Sequence, residues 1–295
     1  MSVTTSENPY KSGQILATNK TLVDLGDMQG HYYYAVQATE SYYAAFYADH
    51  FQTYSDGTVS IYNTIQEALD ASSRDRSDTV VIMGGWTIIA PLSVDRKYGL
   101  RIIGENPFGV ITGGCAEITY NGTVAAFQIS SPKTLISDLT IYMGGTGAPT
   151  AFDISGRVFS HGVMKNINIR KTAGTDAQGH AITAGSPSSS MFENIKISAE
   201  VGKRWQTGIL FTGDDKCHYK NLVIGGTEGF CIYNPGSTMS VFEDIIAMPS
   251  CEDGLYVTGI TSVIVNARIM SALPGTSTAI ISGSYTTGLS AYTGT

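Results

Sequence analysis

Short stretches in which apolar and polar residues alternate recur through the second half of the chain. Alternation with a period of two is typical of a β-strand, so the pattern predicts short strands separated by turns. One kind of stretch opens with a small residue, at Ala126, Ala151, Ala181, Gly208, Gly229, Gly254 and Ala279. A second kind carries Asn or Asp before an apolar residue, at Asp138, Asn166, Asn194, Asn221, Asp244 and Asn266.

The two kinds of stretch keep one phase along the chain. The Asn and Asp positions are separated by 28, 28, 27, 23 and 22 residues, and a small residue precedes each of them by 12 to 15. A helical period is missing from these repeats, and a propeller blade would need roughly 40 residues. We therefore expect an all-β parallel β-helix of about seven or more coils. Asn or Asp at a fixed coil position can stack as a ladder at a corner, so we interpret these six residues as structural.

A short amphipathic helix is predicted ahead of the repeats, within residues 60–71. Asn63 can cap it, with Gln66 three residues later as in a capping box. Ile65, Ala68 and Leu69 form one apolar face. Because the open end of a solenoid exposes its core, we expect this helix to cover the first coil.

Residues 1–57 do not follow the repeat and hold eight of the 17 tyrosines. Tyrosine is enriched at protein interfaces, because it offers a large contact area at low rotamer cost. Two interpretations stay open: an element packed along the side of the solenoid, or an anchor that docks on another protein or a second copy. We divide the chain into an arm, residues 1–57, and a β-helix, residues 58–295. The candidate docking residues are Tyr32, Tyr33, Tyr34, Tyr42, Tyr43, Phe46, Tyr47 and Phe51.

Composition and charge argue against several kinds of partner and of targeting segment. Charged residues make up only 15% of the chain and the formal net charge is −7, without a basic run, which argues against a nucleic-acid partner. No stretch of about 18 apolar residues predicts a membrane span. The N-terminal sequence lacks the basic start and apolar run of a secretory signal. The four cysteines and five histidines show no metal-like spacing, so we expect no metal and no cofactor.

Four sequence segments are similar to a known superfamily: TIQEALDA, DTVVIMGGWTI, PLSV and GLRIIGENP, all within residues 64–107. They resemble the N-terminal coil of the right-handed parallel β-helix superfamily, the pectate-lyase-like fold, and the resemblance covers roughly residues 58–295. It implies a right-handed single-stranded β-helix. The superfamily includes polysaccharide lyases and hydrolases, and also bacteriophage tailspikes, head spikes and capsid decoration proteins, so the fold does not decide the function.

Acidic residues on one coil face would be needed for a hydrolase or lyase. The candidates are Asp153, Asp214 and Asp215, although we expect such turn acids to be solvated loop residues. The sequence departs from the polygalacturonase pattern, because Asn-Thr-Asp is missing and His161-Gly162 and Gly179-His180 precede the Asp-Asp pair. A base of the pectate-lyase type would be Lys171 or the pair Lys203-Arg204. Trp86 and Trp205 could stack on sugars, but for Trp86 core packing is the simpler interpretation.

We expect a structural protein of a bacteriophage particle, exposed on the virion surface as a decoration, cement or spike. The expected partners are two further copies in a homotrimer, and major capsid or tail proteins. The alternatives are a tailspike depolymerase, with carboxylates paired between subunits, and a glycan-binding adhesin that recognises host surface polysaccharide.

Overall fold

The structure is a computed structural model that describes residues 30–74, 76–95, 97–105, 115–154, 159–174, 176–248, 254–271, 279–287 and 290–293. Its helices are α1 (Tyr43–His50) and α2 (Ile65–Ala71). Its strands are β1 (Tyr32–Ala35), β2 (Ile61–Tyr62), β3 (Thr79–Met83), β4 (Gly85–Ile88), β5 (Leu92–Asp95), β6 (Arg101–Glu105), β7 (Ala116–Tyr120), β8 (Phe127–Ser130), β9 (Leu135–Met143), β10 (Phe152–Ile154), β11 (Val163–Lys171), β12 (His180–Ala184), β13 (Met191–Ala199), β14 (Thr207–Phe211), β15 (Asp214–Asp215), β16 (His218–Gly225), β17 (Ile232–Thr238), β18 (Val241–Met248), β19 (Leu255–Val265), β20 (Arg268–Ser271), β21 (Ala279–Thr287) and β22 (Ser290–Thr293).

Strands of successive coils pair in parallel and form three sheets. Sheet 1 contains β1, β3, β6 and the first halves of β9, β11, β13, β16 and β18. Sheet 2 contains β4, β7, the second halves of the same five long strands, β20 and β22. Sheet 3 contains β5, β8, β10, β12, β14, β17 and the first parts of β19 and β21. The predicted fold class, a parallel β-helix, is confirmed.

Equivalent inward residues of successive coils stack on one another inside the helix. In sheet 1 the register aligns Phe192 with Tyr219 and Tyr219 with Phe242. Their ring centroids are 5.1 and 4.5 Å apart, close to the ~4.8 Å spacing of paired strands. The alternation in the sequence therefore builds one continuous core along the stack.

The predicted helix α2 covers the start of this core. Ile65, Ala68 and Leu69 are buried, and α2 contacts β1, β2 and β5. The predicted cap was one residue too early, because Thr64 rather than Asn63 is the N-cap: the Glu67 backbone N–H donates to Thr64 Oγ1 over 3.2 Å. Both positions have a polar residue three places later, so sequence spacing did not distinguish them.

The coil stack begins inside the segment that we assigned to an arm. Strand β1 pairs in parallel with β3, from Tyr32 opposite Thr79 to Ala35 opposite Ile82. It therefore adds a rung to sheet 1, and a boundary between residues 57 and 58 does not separate the arm from the β-helix. Residues 1–29, the rest of that predicted arm, lie outside the described residues.

Neither described helix is long and apolar enough to cross a membrane.

Candidate functional site

The three candidate catalytic carboxylates do not come together. Asp153 aligns with Thr183, and Thr183 aligns with Leu210 of the next coil. The residue that stacks in the column of Asp153 is therefore Leu210, and Asp214 lies four residues after it in the chain. Asp215 is 40% exposed and lies 3.5 Å from Lys216 Nζ. The candidate acid pair of the sequence analysis is not formed within this chain.

Asp214 points into the β-helix rather than to solvent. It is 5% exposed, and Tyr219 Oη donates to its Oδ2 over 2.6 Å. Burial raises the pKa of Asp214, in opposition to the hydrogen bond from Tyr219. Nearby, the hydroxyls of Ser237 and Ser262 are 2.8 Å apart in the same buried layer. The arrangement is a polar part of the core, which the sequence did not reveal because Asp-Asp after Gly also suits an exposed turn.

The candidate lyase bases also have structural roles. Lys171 is fully buried, and its Nζ donates to the backbone carbonyl oxygens of Gln178 and Arg204 over 2.6 and 2.9 Å. Desolvation lowers the pKa of Lys171 to about 8. Arg204 forms ion pairs with Asp176, at 2.6 Å, and with Glu228. These groups hold successive turns between sheets 2 and 3 together.

Both tryptophans are part of the interior rather than sugar-stacking platforms. Trp86 is 8% exposed and donates to the Met83 carbonyl over 2.9 Å. Trp205 is fully buried and donates to the Ser198 carbonyl over the same distance. In the described part of the chain, no three His, Cys, Asp or Glu side chains are grouped so as to hold a metal ion.

The six Asn and Asp residues of the repeat form a column at the corner between sheets 1 and 2. All six have left-handed backbone conformations, with φ between 51° and 61°. Asn and Asp tolerate this conformation better than other non-glycine residues. The pairing register passes over them: Lys165 lies opposite Glu193 and Ile167 opposite Ile195, so each long strand turns at this position.

Side-chain hydrogen bonds join the column into two runs. The donated amide bonds are Asn166 Nδ2 to Asp138 Oδ1 (2.8 Å), Asn194 Nδ2 to Asn166 Oδ1 (3.0 Å), Asn221 Nδ2 to Asn194 Oδ1 (2.7 Å) and Asn266 Nδ2 to Asp244 Oδ1 (3.3 Å). Each run starts at an aspartate. A carboxylate can only accept, so it fits the end of a ladder where no donor is needed.

A second left-handed corner lies five residues before the first, at the point where each coil enters sheet 1. Its residues have φ between 50° and 58° and exposed side chains: Lys133, His161, Ser189, Lys216, Met239 and Thr261. Sequence analysis missed this corner because the residue types share no chemistry. Only the constant offset of five from the Asn and Asp column could have revealed it.

Replacing Asn194 tests the ladder. We expect Asn194→Ala to lower the free energy of unfolding by about 2 kcal/mol, because it loses two amide hydrogen bonds and because alanine tolerates the left-handed region less well than asparagine. Asn194→Gly should cost about 1 kcal/mol, since glycine keeps the backbone conformation without strain. Guanidinium unfolding midpoints measure both, with Lys196→Ala on the same strand as the control. Equal midpoints for the alanine and control variants would contradict a stabilising ladder.

Half of the candidate docking aromatics are buried in the chain itself. Tyr33 and Phe46 are fully buried, and Tyr34 and Tyr42 are 7% exposed. These four are not available to a partner, which corrects that part of the docking prediction. The physical reason is that Tyr33 belongs to the core of the β-helix, whereas Tyr34, Tyr42 and Phe46 pack where α1 covers the outer side of sheet 1, with the rings of Tyr34 and Phe46 5.2 Å apart.

The outer side of α1 carries the remaining aromatic surface. Tyr47 and Phe51 are 37% and 40% exposed, and their rings stack with centroids 4.6 Å apart. Tyr43 is half-buried and lies 5.7 Å from Tyr47. We call Tyr43, Tyr47 and Phe51 the α1 aromatic row. Tyr32 is half-buried at the edge of the packed cluster.

Outward-facing positions change from polar to apolar on two sheets, and the column of sheet 2 returns to a charged residue at Arg268. On sheet 3 the outward column reads Ser93, Gln128, Asp153, Thr183, Leu210, Tyr233 and Tyr256. On sheet 2 it reads Glu117, Thr140, Asn168, Lys196, Val223, Ile246 and Arg268. The rings of Tyr233 and Tyr256 stack 4.6 Å apart, and Met248 beside Ile246 is 37% exposed. We call Leu210, Val223, Tyr233, Ile246, Met248 and Tyr256 the apolar outer surface.

Comparisons with known proteins add the following. No protein-family model matches the chain, and no curated protein matches it. Among solved structures, the A-module of the mannuronan C-5 epimerase AlgE4 from Azotobacter vinelandii matches with 11% sequence identity. The match covers 78% of this chain and 92% of that chain, with a TM-score of 0.35. The strand register therefore remains the basis for the conclusion that this chain is a parallel β-helix protein.

Proposed function

We propose that this chain is a structural protein of the bacteriophage virion surface, a trimeric β-helix that decorates or cements the capsid or forms a spike. The observation that carries the proposal is the apolar outer surface, which lies on sheets 2 and 3 at the same height of the stack. In a cyclic trimer each copy contacts its two neighbours through two different patches. Two apolar faces of one subunit, at one height, suit that arrangement.

The α1 aromatic row supports attachment to a larger particle. It lies near the start of the stack, away from the coils that carry the apolar outer surface. Exposed aromatic side chains are enriched at protein interfaces, because they bury much area for few rotamers. The proposal thus assigns the late coils to contacts between copies and the first coils to contacts with capsid or tail proteins.

An aspartate in the apolar outer surface tests the trimer. We expect the full chain to scatter light as three times 31.4 kDa, and Ile246→Asp to scatter as a single chain. A charge that is buried at an interface without a partner costs several kcal/mol, whereas Ile246 faces outward in the isolated chain and its replacement leaves the core intact. Asn168→Asp, in the same column three coils earlier, is the matched control. A wild-type chain that elutes as a monomer at micromolar concentration would refute the trimer.

The virion role is tested on particles. The test uses phage particles whose genome carries the gene of this chain, purified from a lysed host culture. Antibodies against the chain should label these particles. The variant Tyr47→Ser with Phe51→Ser should lower the labelling at least tenfold while the trimer mass stays unchanged. Particles that assemble fully but lack the chain would contradict the proposal.

A further inference from the structure

A groove of about 440 Å³ lies on the outer side of sheet 1, over its early coils. Such a volume is within the usual range of ligand sites. The groove crosses four successive coils, those of β3, β6, β9 and β11. Its lining residues are Ser77, Tyr98, Gly99, Arg101, Lys133, Leu135, Val163 and Lys165.

The charge of the groove is opposite to that of the whole chain. Among the residues that the structure describes, the lining contains three cationic side chains and no carboxylate, although the formal net charge of the chain is −7. Lys133 Nζ lies 4.7 Å from the centroid of the Tyr98 ring, which is 45% exposed. A cation over an aromatic ring remains able to bind an anion from its solvent side.

The floor of the groove is aliphatic and the cations surround it. Arg101, Leu135 and Val163 are direct register neighbours on β6, β9 and β11, so they form one row along the stack. Lys133 lies two residues before Leu135, at the left-handed corner, and Lys165 lies two residues after Val163. The cationic groups therefore stand at one end and on both sides of an apolar strip.

Recognition here must use side chains rather than backbone. Strands β6, β9 and β11 each pair with a neighbour on both sides, so sheet 1 has no free edge at the groove for an added strand. The ligand is therefore selected by negative charge and by an apolar group that fits the strip.

We infer that the groove binds an acidic segment of a partner protein, with an aliphatic side chain on Leu135 and Val163 and carboxylates at Arg101, Lys133 and Lys165. Charge complementarity carries the assignment of an acidic ligand. An acidic saccharide fits less well, since the described part of the lining has no carboxylate or carboxamide side chain to accept hydrogen bonds from sugar hydroxyls. A long nucleic acid is disfavoured by the negative charge of the whole chain. The inference is independent of the trimer and concerns the surface of a single chain.

The test is fluorescence anisotropy with the full chain and a labelled eight-residue peptide in which Glu alternates with Leu. Changing both Lys133→Gln and Lys165→Gln should raise the Kd at least tenfold, because two charge-assisted contacts are lost. The matched control is Lys196→Gln, an exposed lysine on the outer side of sheet 2, and it should leave the Kd within twofold. Binding should also weaken as salt rises from 50 to about 500 mM, as expected for exposed charges.

Three further probes decide the ligand class. A peptide with Gln in place of Glu, and a peptide of Glu alone, should each bind at least tenfold more weakly than the alternating peptide. Hexagalacturonate is the saccharide probe, and tighter binding of it than of the alternating peptide would overturn the peptide assignment. The inference also fails if the alternating peptide shows no binding up to about 1 mM, or if the Lys133 and Lys165 variant binds it as well as the wild type.

Discussion

Lys171→Ala is expected to lower the free energy of unfolding by about 4 kcal/mol. The variant removes the ammonium that satisfies the carbonyl oxygens of Gln178 and Arg204, and each buried acceptor left without a donor costs about 1–3 kcal/mol. It also leaves a cavity where the side-chain stem packed. In the wild type, Lys171 Nζ lies 5.3 Å from the centroid of the Trp205 ring. Guanidinium unfolding followed by tryptophan fluorescence measures the change.

The conservative variant separates the two contributions. Lys171→Met keeps the stem volume and loses the ammonium, so we expect about half of the loss that alanine causes. Lys196→Ala, an exposed lysine, should change the free energy of unfolding by less than about 0.5 kcal/mol. If Lys171→Met were as stable as the wild type, the carbonyl contacts would not contribute and the assignment of Lys171 as a bridge between turns would be wrong.

The Glu105 carboxyl should make the free energy of unfolding fall as the pH rises from about 4.5 to 7. Burial raises the pKa of Glu105 to about 7, above its value of about 4.5 in the unfolded chain. In this window the folded chain binds the proton and the unfolded chain does not, so each increase in pH favours unfolding. The full effect approaches about 3 kcal/mol and is complete above the folded pKa.

Glu105→Gln removes this titration. We expect the variant to be as stable as the wild type near pH 4 and more stable near pH 8, by up to about 3 kcal/mol. Glu193→Gln, at a half-exposed outward position of sheet 1, is the control for the loss of one negative charge. Parallel stability curves for Glu105→Gln and the wild type between pH 4 and 8 would show that Glu105 is not protonated in the folded chain. The Asp214 carboxyl, whose pKa is also raised by burial, contributes a slope of the same sign, whereas His50 and His180, whose pKa values are lowered by burial, contribute slopes of the opposite sign; both proteins retain these contributions.

Features repeated in every coil could be predicted from the sequence. The alternation around Phe127 and Phe152 places equivalent rings in register, with centroids 5.0 Å apart. The Asn and Asp positions were assigned to a corner because these residues can stack as a ladder at a fixed coil position, and the structure adds that their backbone is left-handed. Such features are local to a coil or shared by neighbouring coils, so their period survives in the sequence.

The direction in which single polar and aromatic residues point could not be predicted. Asp214 and Asp215 are adjacent, yet the first is buried against Tyr219 and the side chain of the second is 40% exposed. In a strand a shift of one residue moves each side chain to the opposite face of the sheet. The turn before β15 therefore decides which of the two aspartates points inward. The tyrosines of β1 and α1 divide in the same way, because α1 folds back over sheet 1 and covers one side of the aromatic segment.

By itself, the sequence determined the parallel β-helix, its repeating corner and the helix that covers its first coil, since these follow from periodicity and short-range spacing. Only the tertiary structure decided which surfaces are available for binding. The cationic groove brings together Tyr98, Lys133 and Lys165, which belong to three successive coils. The apolar outer surface joins residues of two sheets. Residues one coil apart in the chain become direct neighbours when strands pair about 4.8 Å apart. Which residues meet depends on coil lengths and register, and a linear pattern of polar and apolar positions does not contain that information.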